Sequence, residues 1–175
     1  VDVDDGDLLV LEDVGRVAWS PDGKEVWFEA QSGERRVILT GATPRDNVSL
    51  ALHDIDRDGR LDVALGASWQ PTNTTSGGTL HWVRQGAPGA AWTLHYINEE
   101  PTLHRIRWAD VDGDKTQELV VTPLHGRNTK GPEWQGPGAR ILVFRPPANP
   151  AKEPWESETA DDSGGNRAAI ARPRP

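Results

Sequence analysis

Apolar residues in this chain recur in short alternating or β-branched runs, and no window carries the period of an amphipathic helix. Thr79–Arg84 alternates apolar with polar positions over its first four residues, and Arg140–Arg145 is a short apolar run bounded by arginines; both read as strands. Val63–Ser68 and Leu119–Pro123 are β-branched runs, and the β-leaning runs Val48–His53 and His104–Ala109 precede them. Ala87-Pro-Gly-Ala turns the chain into Trp92–Ile97, and Trp155–Thr159 offers one more outer strand. Nearer the start, Leu8–Leu11, Arg16–Ser20, Val26–Ala30 and Arg35–Thr40 form a more compressed set of four. The pattern predicts an all-β protein made of four-stranded antiparallel units.

Those units coincide with an internal repeat. Asp54-Ile-Asp56-Arg-Asp58-Gly-Arg60-Leu-Asp62 aligns without gaps on Asp110-Val-Asp112-Gly-Asp114-Lys-Thr116-Gln-Glu118, and a degenerate copy stands at Asp2–Asp7. The first acids fall at positions 2, 54 and 110, a period of 52 to 56 residues. Four antiparallel strands repeated at that spacing describe the blade of a β-propeller, usually assembled from about 4–8 blades. The expected divisions are blades at 1–46, 47–101 and 102–160, followed by a disordered or non-repeat tail at 161–175. About three blades cannot close a ring, because each blade buries both faces against its neighbours. The expectation is an incomplete propeller whose missing blades belong to a longer chain, or one assembled as a homo-oligomer.

Composition narrows the partners. The 175 residues hold 19 Lys+Arg against 27 Asp+Glu, a formal charge of −8 that would repel nucleic acid and anionic membranes. No apolar stretch is long enough for membrane insertion. The absence of Cys excludes disulfides, thiolate nucleophiles and iron–sulfur clusters. Phosphate-binding glycine loops and a serine-nucleophile elbow are also missing from the sequence.

The acidic loops carry the strongest chemistry. A hard cation such as Ca²⁺ takes about 6–8 oxygens, and alternate residues of a tight loop can aim carboxylates inward together. The first loop offers Asp54, Asp56, Asp58 and Asp62 with the Arg60 carbonyl; the second offers Asp110, Asp112, Asp114 and Glu118 with the Thr116 carbonyl. Two Ca²⁺ sites are expected, and the Asp2–Asp7 copy, which lacks the ninth-position acid, is a possible third. Gly59 allows a sharp turn in the first loop, whereas Lys115 at the same place in the second demands a backbone angle costly for a side chain.

With Asp-Ile-Asp-Arg-Asp-Gly-Arg-Leu-Asp and Asp-Val-Asp-Gly-Asp in view, the chain resembles the FG-GAP/VCBS repeat class, known from integrin α-subunit propellers and secreted bacterial proteins. From Arg45 to Pro150 it is similar to a bacterial branch related to the propeller domain of aldos-2-ulose dehydratase. The stretches carrying that likeness are Arg45-Asp-Asn-Val, Trp69-Gln-Pro-Thr-Asn-Thr, Gly78-Thr-Leu-His-Trp, Glu100-Pro-Thr-Leu-His104-Arg and Leu124-His125-Gly-Arg-Asn-Thr-Lys-Gly. The resemblance implies a secreted or periplasmic, calcium-stabilised propeller of seven blades, often attached to carbohydrate chemistry. This chain has fewer blades than that pattern.

Blade topology would put the acidic loops on one face and the long loops Trp69–Gly78 and His125–Gly138 on the other. His104 and His125 are the candidate acid/base groups there, and Arg127 the candidate stabiliser of enolate or carboxylate charge. Trp69, Asn73, Asn128, Lys130 and Trp134 are candidate contacts for a carbohydrate or small polar ligand, with indoles stacking on rings and polar groups reading hydroxyls. Each has a structural alternative: a His that satisfies backbone, an Asn that holds a turn, a Trp that anchors a loop. His53 is assigned to structure, His81 and His95, placed in outer strands, to surface or packing, and Trp19, Trp27, Trp82, Trp92 and Trp108 to packing between blades. Three functions stay open: a lyase, dehydratase or glycosidase; a non-catalytic glycan- or protein-binding module; and a structural fragment without activity.

Overall fold

A computed structural model describes residues 44–87 and 90–161, together with the backbone of strands 14–19, 25–30 and 35–40. Every regular element among the described residues is a strand. No helix there is long and apolar enough to cross a membrane. β1 (Val14–Trp19), β2 (Glu25–Ala30) and β3 (Arg35–Thr40) form a three-stranded antiparallel sheet. β4 (Ser49–His53), β5 (Asp62–Ala67), β6 (Thr79–Arg84) and β7 (Thr93–Glu99) form a four-stranded antiparallel meander. β8 (Leu103–Ala109), β9 (Glu118–Pro123), β10 (Ile141–Arg145) and β11 (Glu156–Asp161) form a second one with the same order.

Each complete repeat thus yields the four-stranded unit expected of it. In the first copy, three of the four expected strands match β1 to β3. Leu8–Leu11, the Asp2–Asp7 loop and tail residues 162–175 lie outside the described residues. β11 reaches Asp161, one residue into the stretch assigned to the tail. Among the described residues no sheet is closed, and β7 and β11 are the last strands of the two meanders, at the sheet edges away from β4 and β8.

β4 and β5 lie against β8, and the two meanders share one core. Ile55, Ala64, Leu80 and Trp82 come from the first, and Leu103, Ile106, Trp108, Leu119, Val121, Leu142, Phe144 and Trp155 from the second. Gly66 permits the close approach: a Cβ there would stand 2.5 Å from Leu103 Cδ2 and 3.1 Å from Ser49 Oγ. Leu103 is fully buried in the space so provided. β5 is buried along its whole length. Because successive side chains point to opposite faces, β5 is covered on both sides, whereas β7 of the same meander is half-buried to exposed. β8 alternates instead, with Leu103, Ile106 and Trp108 buried and Arg105 and Arg107 exposed.

Antiparallel pairing then sorts the loops. The acidic segments join β4 to β5 and β8 to β9 at one end of the strands. The segments joining β5 to β6, β9 to β10 and β7 to β8 gather at the opposite end, as the repeat predicted.

Candidate cation loops and loop-face cleft

The two acidic loops share a backbone design. In each, strand pairing sets the ninth-position acid opposite the residue before the first acid, His53 with Asp62 and Ala109 with Glu118. The second-position amide donates to the ninth-position carboxylate, Ile55 N to Asp62 at 3.2 Å and Val111 N to Glu118 at 3.0 Å. The sixth-position amide donates to the first acid, Gly59 N to Asp54 at 2.9 Å and Lys115 N to Asp110 at 3.1 Å. The seventh-position amide donates to the fifth, Arg60 N to Asp58 and Thr116 N to Asp114. Both loops are left-handed at the fourth and sixth positions: Arg57 (φ 60°) and Gly59 (φ 88°), then Gly113 (φ 84°) and Lys115 (φ 73°). One glycine relieves each loop at a different step, and Lys115 takes the costly angle that its position demands.

Three carboxylates converge in each loop with ligand atoms within 4.8 Å of one another: Asp54, Asp56 and Asp58 in the first, Asp110, Asp112 and Glu118 in the second. Such a group can hold a metal ion. Asp62 stands apart from the first trio. It is fully buried and accepts from Ile55 N and Gln85 N. Burial pushes its carboxyl up to about 6, against the lowering effect of those amides.

Sequence reasoning missed the arginines that close these loops. Arg84, at the end of β6, reaches Asp56 through Nε at 2.6 Å and Asp58 at 3.8 Å, while Arg60 pairs with Asp58. Arg145, at the end of β10, reaches Asp112 at 3.5 Å but is held more closely by Glu158 at 3.0 Å. The only signal in sequence is that both third strands end on Arg. The first loop is therefore partly neutralised by a guanidinium from its own sheet, and the second much less so.

At the opposite end the two long loops are tied together. Asn128 N donates to Thr74 O at 3.0 Å, and Thr74 Oγ1 donates to Thr129 O at 2.7 Å. Between them opens a cleft of about 420 Å³, lined by Thr72–Thr75, Asn128–Gly131 and Trp134. Four of the five expected ligand contacts, Asn73, Asn128, Lys130 and Trp134, line it. The fifth, Trp69, does not; its ring lies 5.7 Å from that of His104 in a stacked arrangement. The Asn73 amide is consumed by its own turn: Nδ2 donates to Gln70 and Ser76, and Oδ1 accepts from Thr75 and Ser76.

The candidate acid/base groups are dispersed. His125 stacks on Trp134 at 3.7 Å and 9° and so touches the cleft only through that ring. His104 lies beside Arg105, with Nη1 at 3.1 Å from Nε2. Burial lowers both imidazoles below their ordinary value, and Arg105 adds to that at His104. Arg127 donates through Nε and Nη2 to Glu100 at 3.1 and 2.8 Å, and Arg140 donates to the same oxygen at 2.5 Å. Glu100 is only 2% exposed, so two guanidiniums balance a buried carboxylate at the β7–β8 connection. Glu100, Thr72 and Thr129 stand in stretches that carry the family likeness, but the sequence did not show that Glu100 is a buried partner of two arginines or that the two threonines line a cleft.

Of the residues assigned to packing, Trp82 and Trp108 are core residues; His95 stacks on Trp82 at 4.7 Å and His53 lies tilted against Trp108 at 4.6 Å. Trp92 is half-buried, and the side chains of Trp19 and Trp27 lie outside the described residues. No protein-family model matches the chain, and no curated protein matches it.

Proposed function

We propose that this chain is a calcium-stabilised β-repeat domain that binds a carbohydrate in the cleft between its two long loops, without catalysing a reaction there. The single observation carrying this is the cleft itself, where a Trp, an Asn and a Lys from one loop face a threonine-rich second loop. A flat indole beside polar groups suits a sugar ring. The three candidate acid/base and charge-stabilising groups do not line that space, which favours the binding module over the lyase or glycosidase.

Calcium is the cation that the loops suit best: all-oxygen donors, a flexible nine-residue frame and backbone carbonyls at hand. The duplicated loops, the FG-GAP/VCBS-like motifs and the doubly covered β5 together support propeller blades. Further blades would come from a longer chain or from neighbouring copies. A loop of this kind fits a secreted or periplasmic setting, where calcium sites of modest affinity are filled.

Isothermal titration against a panel of neutral and acidic oligosaccharides tests the binding reading. Trp134→Ala is expected to weaken the bound sugar by about tenfold or more while leaving the melting temperature of the calcium-loaded protein nearly unchanged. Binding that survives Trp134→Ala, or turnover that disappears in His104→Ala or His125→Ala, would sink it.

A further inference from the structure

The cleft is unbalanced in hydrogen-bonding chemistry. Of its lining side chains, the Asn73 amide is spent on its turn, Thr74 Oγ1 on Thr129 O, and Thr129 Oγ1 on Gly126 O. What remains for a ligand is the Thr72 hydroxyl, the Asn128 amide and the Lys130 ammonium, none of which has a partner among the described residues, beside the Trp134 ring. An ammonium brings three donors and no acceptor. Among the described residues, Lys130 is the one charged residue lining the cleft, and no carboxylate lines it. Two other cations at this end, Arg127 and Arg140, are matched by Glu100. In a chain of net charge −8, an unmatched ammonium in an acid-free cleft is a selective feature.

We infer that the cleft selects an anionic sugar, a uronate unit whose carboxylate pairs with Lys130 while its ring lies along Trp134. This deepens the proposed carbohydrate site and rests on that reading. Neutral sugars offer hydroxyls that donate as well as accept, and give the ammonium no counter-charge, so they lack the charge-assisted hydrogen bond that a carboxylate makes. A sulfated sugar carries the same anionic chemistry and serves as the competing arm of the test.

The test compares oligogalacturonate, its methyl-esterified form, and a sulfated oligosaccharide of equal length, titrated calorimetrically into the calcium-loaded protein. Wild type is expected to bind the acid about tenfold more tightly than the ester, with the sulfated sugar weaker than the acid. Lys130→Met should erase the preference, and Lys130→Arg should retain most of it. Lys130 is exposed, so both variants should fold, and an unchanged melting temperature confirms that. Equal binding of acid and ester, or a preference that survives Lys130→Met, overturns the uronate inference but leaves a carbohydrate site standing. Tighter binding of the sulfated sugar overturns it in favour of a sulfate-bearing ligand. Failure of every sugar, charged or neutral, overturns the carbohydrate reading and the uronate inference together.

Discussion

Arg84 and His81 show how single side chains set the behaviour of this protein. Arg84 neutralises Asp56 and, more distantly, Asp58, so it competes with any cation entering the first loop. Arg84→Met should lower stability in chelator by less than about 1 kcal/mol, because the pair is partly exposed. It should also enlarge the gain in melting temperature on adding calcium, read by differential scanning calorimetry. An equal calcium response in wild type and variant would show that Arg84 does not occupy the cation's place. His81 is buried, with neither ring nitrogen hydrogen-bonded, and burial lowers its pKa. Its folded pKa therefore lies below the unfolded value near 6.5. Its neutral form is accommodated above that value, and stability is lost as pH falls through 6.5 towards the folded pKa. His81→Leu should flatten this acid-side loss, with urea midpoints rising more at pH 5 than at pH 7.5. His81 was readable from sequence as a surface or packing residue of a strand, although β6 lies inside its sheet, between β5 and β7, rather than at the edge. Its lack of partners was not, because strand register and the covering of that face decide it.

At the level of elements, sequence legibility followed chain locality. The strands of both complete repeats, the acidic turns and their orientation were readable because period-2 patterning and a nine-residue motif are local signals. The left-handed Lys115 was readable for the same reason, since it stands where the other loop has Gly59. Contacts between the meanders were not. Gly66 looked like an ordinary strand glycine until Leu103 of the next meander filled the space beside it. Gly66→Ala should therefore cost about 1–3 kcal/mol by overpacking, measured by denaturant unfolding. Gly78, with φ 70° and a virtual Cβ 2.0 Å from Glu100 O, should tolerate replacement even less well.

For the whole molecule, the proposed cation sites carry the largest expected effect. Two bound Ca²⁺ ions would bring the net charge from −8 to −4 and relieve repulsion among converging carboxylates. Calcium at a hundred times its dissociation constant should stabilise the fold by about 2.7 kcal/mol per site. Chelator should reverse this, and Asp54→Ala and Asp110→Ala should each abolish one step of the titration. A melting temperature indifferent to chelator would remove calcium from the account. The sequence alone determined the strands of the complete repeats, the repeat itself and the acidic character of the loops, because residues within a few positions of one another specify them; that three carboxylates converge in each loop, without Asp62 in the first or Asp114 in the second, was decided by the fold. Only the tertiary structure decided that Arg84 closes a loop, that Arg127 serves Glu100, that Asn73 holds its own turn and that Lys130 is left unmatched. Each of those outcomes depends on which remote carboxylate or carbonyl the fold brings within hydrogen-bonding distance, and no local pattern encodes that.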